Sequence, residues 1–341
     1  MGDKKKIIAG CCGFRHYRPP KDWRAKYKQI IQAYASVYPL VEVNSTFYKL
    51  PRVSTVKKWR FLIDEVNPSF IFTVKANQKI THLPSSPTYR KAKLEINDSI
   101  KDKLGFFKST EEVFDAWKNT EKICQALRAE ACLFQTPPNF KPTSENLDNL
   151  KNFFEQINPN FDLAFEPRGK EWSKKIISDL SYDLSIIPVF DPLRVKIEYN
   201  GDKAYYRLHG LARSLYKYKY LNEDLVILKK KCLESKNNVI YVLFNNYEMF
   251  NDCKRFLDLL KTGKLAIINW GPNAVVEKLQ VSFPIKKEEL LTKYGKWWVW
   301  VNPDKRMRIE QLLLSMKKDE IESKKELLTE IEKVFHEFHY S

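Results

Sequence analysis

Apolar runs in this chain repeatedly stop at residues that can move a proton or hold an anion. Glu42 and Asn44 close Leu40-Val-Glu-Val-Asn-Ser45, Lys75 closes Phe70-Ile-Phe-Thr-Val-Lys-Ala76, and Gln135 closes Ala131-Cys-Leu-Phe-Gln-Thr136. Asp162-Leu-Ala-Phe-Glu-Pro-Arg168 ends in Glu166 and Arg168, and later runs end in Asp191, in Arg207 with His209, and in Asn245 with Asn246. His82 stands just beyond the Lys75 run. Carboxylates and imidazoles at such ends can exchange protons, which makes Glu42, His82, Glu166, Asp191 and His209 the catalytic candidates. Lys75, Arg168, Arg207, Asn44, Gln135, Asn245 and Asn246 offer polar contacts for phosphate or other substrate atoms. Glu42, Glu166 and Asp191 could also hold one divalent metal ion, whose identity the sequence leaves open. Each residue alone has an ordinary alternative. Glu166 and Arg168, two apart on one face of a strand, make a buried ion pair as readily as a site, and Gln135 or Asn245 can simply satisfy backbone groups. Their recurrence is less ordinary, because a core built only for stability does not need so many desolvated polar groups in one place.

Such residues meet only if the runs are strands of one sheet whose ends lie on the same side. Lys6-Ile-Ile-Ala-Gly10, Leu184-Ser-Ile-Ile-Pro-Val-Phe-Asp191, Lys203-Ala-Tyr-Tyr-Arg-Leu-His-Gly210 and Asn238-Val-Ile-Tyr-Val-Leu-Phe-Asn245 bring the set to about eight buried strands. Helical spacing separates them. Trp23, Tyr27, Ile30, Ile31 and Tyr34 predict a helix over 22–38, stopped by Pro39. Ser54 is placed to cap a helix over 55–66, and Ser109 to Glu112 has the S-x-x-E form that opens one running to about Glu130. Ser144 starts another, with Leu147, Leu150, Phe153 and Phe154 on one face, and further helices are expected over 171–180, 222–235 and 249–260. The stretch from 77 to 108 is too long for a plain connection and reads as a covering or functional loop with short helices of its own. This alternation predicts a (β/α)8 barrel of the TIM type over residues 1–262, with its site at the carboxyl ends of the strands. A doubly wound open sheet is the alternative, but no G-x-G-x-x-G supports a nucleotide-binding version of it.

From Gly263 onward the pattern changes, and residues 263–341 read as a small appended α+β unit. Lys296-Trp-Trp-Val-Trp-Val301 is strand-like, and 304–316 and 319–338 read as amphipathic helices, the second with Ile321, Leu327, Ile331, Val334 and Phe338 along a stripe. The unit could cover the barrel, pair subunits in a homo-oligomer, or bind a partner. Lys296, Trp297, Trp298, Lys305, Arg306 and Arg308 set cations beside aromatics, a combination that grips phosphates and stacks bases; the ordinary alternative makes the tryptophans core and the cations a solvated rim.

The formal charge of +17, from 59 Lys and Arg against 42 Asp and Glu, attracts polyanions and makes nucleic acid the first partner to consider, although a lysine-rich surface also serves solubility. The 6 cysteines include no C-x-x-C pair and have no His-rich partner spacing, so they read as reduced, mostly buried thiols. With 5 histidines in all, a His-rich multinuclear zinc cluster is not expected. No run approaches the roughly 18 apolar residues a membrane span needs, so the expectation is a soluble, cytoplasmic protein with no membrane partner.

Several blocks together resemble the YecE-like family, also catalogued as domain of unknown function 72. They are Val41-Glu-Val-Asn-Ser-Thr-Phe-Tyr48-Lys-Leu-Pro51, Phe72-Thr-Val-Lys75-Ala with Ile80-Thr-His82, Leu133-Phe-Gln-Thr-Pro-Pro138, Glu166 with Arg168, Tyr206-Arg-Leu-His-Gly210, and Tyr241 to Asn246. The resemblance spans about residues 7–262 and implies a TIM-type barrel there, without implying an activity. Cys11-Cys12-Gly13-Phe14 departs from the family's small hydroxyl residue followed by Ser-Gly-Trp, and the segment after Gly263 lies outside the family pattern.

Three readings of function follow. One is a nucleic-acid-binding protein that processes phosphodiesters at the barrel mouth as a metal-assisted hydrolase or nuclease. Another is an enzyme on a small anionic metabolite such as a phosphorylated sugar, and the last is a non-catalytic binding scaffold. The charge excess favours the readings with nucleic acid, because a small metabolite needs only a few local cations.

Overall fold

The structure is a computed structural model, and it describes residues 5–211, 216–265, 270–279, 281–302 and 305–339. Strands β1 (Lys6–Cys11), β2 (Leu40–Val43), β3 (Ile71–Lys75), β4 (Ala131–Gln135), β5 (Asp162–Glu166), β6 (Ile187–Phe190), β7 (Lys203–Leu208) and β8 (Val239–Phe244) pair in that order in parallel. β8 returns to β1 in register from Lys6↔Val239 to Cys11↔Phe244 and closes the barrel. The (β/α)8 expectation therefore holds. A Cβ on Gly10 would lie 2.0 Å from the Leu40 carbonyl oxygen, so only glycine lets β1 approach β2 this closely.

Helices Val53–Asp64, Glu111–Leu127, Ser144–Glu155, Lys174–Asp183, Asn222–Glu234 and Met249–Thr262 separate strands, whereas β6 reaches β7 through residues 191–202 without one. The long stretch after β3 carries the short helices Gln78–Thr81, Pro87–Lys91 and Asp98–Lys101. The helix anticipated over 22–38 is instead two, Trp23–Lys26 and Ile30–Ala35. Gln32 causes the break: its side-chain oxygen accepts from the backbone N–H groups of Lys28 and Gln29 and starts a new helix. One cap sits a residue from its anticipated place, at Thr110 rather than Ser109, and accepts from the Val113 N–H; the helix anticipated from Ser144 does begin there, capped by Thr143.

Two compact units divide the chain. The first is Met1–Leu208 with Ile227–Asn245 and Met249–Lys261; the second is His209–Val226 with Asn246–Glu248 and Thr262–Ser341. Inside the barrel, Leu40, Leu133, Ala164, Val189, Tyr205 and Leu243 form a buried cluster. The second unit has its own core, including Val275, Leu290, Ile309, Leu312, Ile321 and Ile331, and burying each such aliphatic side chain stabilises by about 1.5–3 kcal/mol. It contains β9 (Ile285–Lys286), β10 (Trp298–Trp300), β11 (Arg306–Arg308) and β12 (Glu320–Ile321), with β10 antiparallel to β11 and β12 to β9. A single helix over 304–316 is not what forms: Arg306–Arg308 is strand and the helix is Ile309–Ser315, while Asp304 and the Phe338 side chain lie outside the described residues. All six cysteines are buried free thiols. Among the described residues no helix is long and apolar enough to cross a membrane.

Candidate functional site

Strand alternation decides what enters the barrel. On β7, Tyr205 and Arg207 point the same way, and both reach strands that are not their neighbours, which they can do only through the interior. Arg207, 1% exposed, donates from Nη2 to Glu42 Oε1 on β2 at 2.8 Å and from Nη1 to Glu166 Oε2 on β5. Tyr205 donates to the other Glu42 oxygen at 2.7 Å and shares a 2.7 Å hydrogen bond with Thr73 of β3. Gln135, at the end of β4, donates to Glu166 Oε2 at 2.8 Å and accepts from Lys75 Nζ at 2.7 Å. Arg168 Nη2 pairs with Glu166 Oε1 at 3.0 Å. Five strand ends thus carry one connected chain of groups: Glu42, Arg207, Glu166, Gln135 and Lys75.

Burial opposes the charge of Arg207, but Glu166 and Glu42 outweigh it and hold its pKa well above the ordinary value. Lys75 goes the other way. Burial, followed by the positive charge of Arg207, lowers its pKa to about 7, although Glu42 and Glu166 pull it back up. The Phe47 ring centroid, 4.0 Å from Nζ, walls one side of the amine and favours the ammonium, but not enough to place it among ordinary lysines. Burial, and then Lys75, lowers His82 to about 3, so its ring is neutral near neutral pH. The Cys12 thiol, 3.7 Å from Arg207 Nη2, is pushed well up by burial and by Glu42 and is no thiolate.

The second unit carries a different assembly. Pairing of Trp298 with Arg308 and Trp300 with Arg306 puts these four side chains on one face of the β10–β11 ribbon, while Val299 and Met307 turn to the core. The guanidinium of Arg306 lies 5.0 Å from the Trp298 ring and 5.5 Å from Tyr247, and that of Arg308 lies 5.6 Å from Trp298. Lys219 Nζ lies 5.7 Å from the Trp300 ring. Trp298 is 46% exposed and Trp297 43% exposed, so neither is core.

The sequence pattern of the family described as "Protein of unknown function DUF72" matches residues 8–274. The chain belongs to the DUF72 family. The UPF0759 protein YunF of Bacillus subtilis is 26% identical over 278 residues, covering 71% of this chain and 89% of that protein. A DUF72 family protein from Thermotoga maritima aligns with TM-score 0.52 and 22% identity over 75% of this chain and 99% of its own. One from Enterococcus faecalis gives TM-score 0.55 and 18% identity over 76% and 98%. At these identities the two structures speak for the fold. The DUF72 match extends past the anticipated end near residue 262 and stops before the ribbon, which begins at Trp298.

Within the DUF72 barrel, Glu42, Lys75, Gln135, Glu166, Arg168 and Arg207 come together, and the other candidates make local contacts of their own. Asn44 donates to the Cys12 carbonyl at 3.2 Å. Asp191 accepts from the Leu193 N–H at 2.9 Å and fixes the turn after β6. His82 shares a 2.8 Å hydrogen bond with Thr81 and packs on Phe47, and with its pKa near 3 it is a weak base. Asn245 is held by its backbone N–H on the Leu208 carbonyl. His209 and Asn246 belong to the second unit, where His209 packs edge-on to Tyr216 and Asn246 donates to the Tyr218 carbonyl. Of the carboxylates anticipated for a metal ion, Glu42 and Glu166 both face the Arg207 guanidinium, and Asp191 Oδ1 accepts from its own turn. Among the described residues no three His, Cys, Asp or Glu side chains are grouped to hold an ion. In the ribbon, Lys296 and Lys305 are exposed near Arg306 and Arg308 in sequence. Sequence reasoning missed Thr73 and Tyr205, although each stands two residues before a chosen one and shares its face. It also missed Phe47, Lys219 and Tyr247, which nothing in the local pattern marks.

Proposed function

We propose that this protein binds single-stranded nucleic acid through the exposed ribbon face of its second unit. The observation that carries the reading is the four-residue face of Trp298, Trp300, Arg306 and Arg308, with the arginines laid against an indole. Stacking holds the guanidinium groups in place, so less side-chain freedom is lost when they meet phosphate oxygens, and the half-exposed indole offers a surface to a base. The +17 charge adds long-range attraction. Lys296, Trp297 and Lys305 extend the same basic, aromatic segment.

Fluorescence anisotropy with a labelled oligo-dT and with a duplex of equal length, across a salt series, tests the reading. Expected are tighter binding of the single strand and a log–log salt slope that falls by about 1.4 in the Arg306→Ala/Arg308→Ala double variant, roughly 0.7 for each lost phosphate contact. No binding at low salt, or an unchanged slope in the double variant, overturns it. The barrel mouth supports a separate reading, chemistry on a small anionic substrate, because a partly exposed Arg168 and the Lys75 amine belong to one hydrogen-bonded cluster. Under that reading a bound anion raises the melting temperature of the wild type, and Lys75→Ala removes the rise.

A further inference from the structure

We propose that Lys75 is an amine nucleophile that forms an imine with a small carbonyl compound carrying a carboxylate or phosphate. The inference rests on the barrel unit alone and is independent of nucleic-acid binding. Lys75 ends β3, on the side of the barrel where the (β/α)8 fold places its chemistry. Its Nζ makes one hydrogen bond among the described residues, to Gln135 Oε1 at 2.7 Å, and the direction of that bond is fixed. Gln135 gives its amide N–H to the Glu166 carboxylate, so its oxygen must face the lysine. An amine that donates one N–H to an amide oxygen keeps its lone pair for an electrophile. Phe47 packs 4.0 Å from Nζ and shields that side from water.

The charges around the amine are Arg207 on β7, Glu42 on β2, Glu166 and Arg168 at the end of β5, and the neutral His82 ring. Their combined effect with burial leaves the amine half neutral near pH 7. As a nucleophile it is well placed, since an ordinary lysine is neutral in only roughly one molecule in 2,500 at pH 7. The step balances without a further reactant. The nitrogen lone pair forms the C–N bond, the carbonyl π pair moves to oxygen, and both amine hydrogens leave with that oxygen as water, which gives the imine. Arg168, 25% exposed in its side chain and already paired to Glu166, is the guanidinium placed to orient the anionic group.

Reductive amination with glyoxylate and cyanoborohydride, read by peptide mass spectrometry, tests this on the intact wild-type chain. At pH 7 the Lys75 peptide is expected to label at least about tenfold faster than exposed lysines such as Lys196, whose side chain is 78% exposed. The Lys75 rate should level off above about pH 7, whereas exposed lysines continue to accelerate toward their ordinary range near 10.4. Labelling of Lys75 no faster than Lys196, or with the same pH profile, overturns the nucleophile. Formaldehyde, a carbonyl without an anion, separates the second half of the proposal. Measured at pH 9, where the Lys75 amine is neutral whatever Arg168 adds to its charge state, Arg168→Met should slow glyoxylate labelling more than formaldehyde labelling; equal effects on both probes overturn the orienting role.

Discussion

Arg207 and Arg306 show how differently one side-chain type behaves in the two units. Arg207 is 1% exposed and divided between two carboxylates on opposite parts of the barrel wall, so its charge is spent in holding Glu42 and Glu166. Arg306 lies against Trp298 and Tyr247 on an exposed face, with Glu248 3.6 Å away. Burial turns the first into a structural tie, because the low-dielectric interior makes any unpaired charge expensive. The second is less committed, because its side chain is 35% exposed and its guanidinium can meet a phosphate as well as Glu248. The cluster around Arg207 also sets the chemistry of its neighbour, since the guanidinium that ties the carboxylates helps to strip the proton from Lys75.

The largest effect that can break this contrast is on stability. Arg207→Met strands two buried carboxylates and is expected to cost about 3–5 kcal/mol in urea unfolding, while Arg306→Ala should stay within about 0.5 kcal/mol of wild type. Adding Glu42→Gln and Glu166→Gln to Arg207→Met should recover much of the loss; similar unfolding midpoints for the two arginine variants would remove the distinction. A middle-sized effect belongs to the ribbon. Trp298→Ala should weaken oligo-dT binding by about 1–3 kcal/mol with little change in melting temperature, and undiminished affinity would leave the indole without a part in recognition.

A further effect is on pH dependence. His82 is held near 3 when folded and titrates near 6.5 when unfolded, so the unfolded chain binds more protons between those values. Its contribution is present above about pH 6.5 and is lost as pH falls toward 3. Lys75 has the same sign at higher pH: its folded pKa of about 7 lies below the unfolded 10.4, so stability should rise with pH across that window. Urea midpoints measured against pH should flatten in the acid limb for His82→Gln and in the alkaline limb for Lys75→Met. Unchanged limbs would mean that these groups titrate alike in both states.

Much of the barrel was legible because its strands are short apolar runs separated by helical periodicity, a pattern that burial on both faces enforces locally. The shared face of Glu166 and Arg168 followed from period-two alternation, and the two do pair. Caps and the break near Gln29 were less legible, because a single side-chain hydrogen bond moves a helix end by a residue or two. The long-range partners were not legible. Glu42 and Arg207 are 165 positions apart, and only closure of the sheet makes them neighbours. Asp191 and His82 were selected for residue type, and the local hydrogen bonds they make with Leu193 and Thr81 were not foreseen.

Sequence by itself determined the family and the eight strands, because burial on both faces rewards short apolar runs and the helical period separates them. Tertiary structure decided which charges meet and in which state. It faced the two carboxylates with a guanidinium, it partly buried Lys75 beside Arg207, and it left Trp298 exposed on one face with the arginines. Those outcomes depend on distance and dielectric, and neither exists until the chain has closed upon itself.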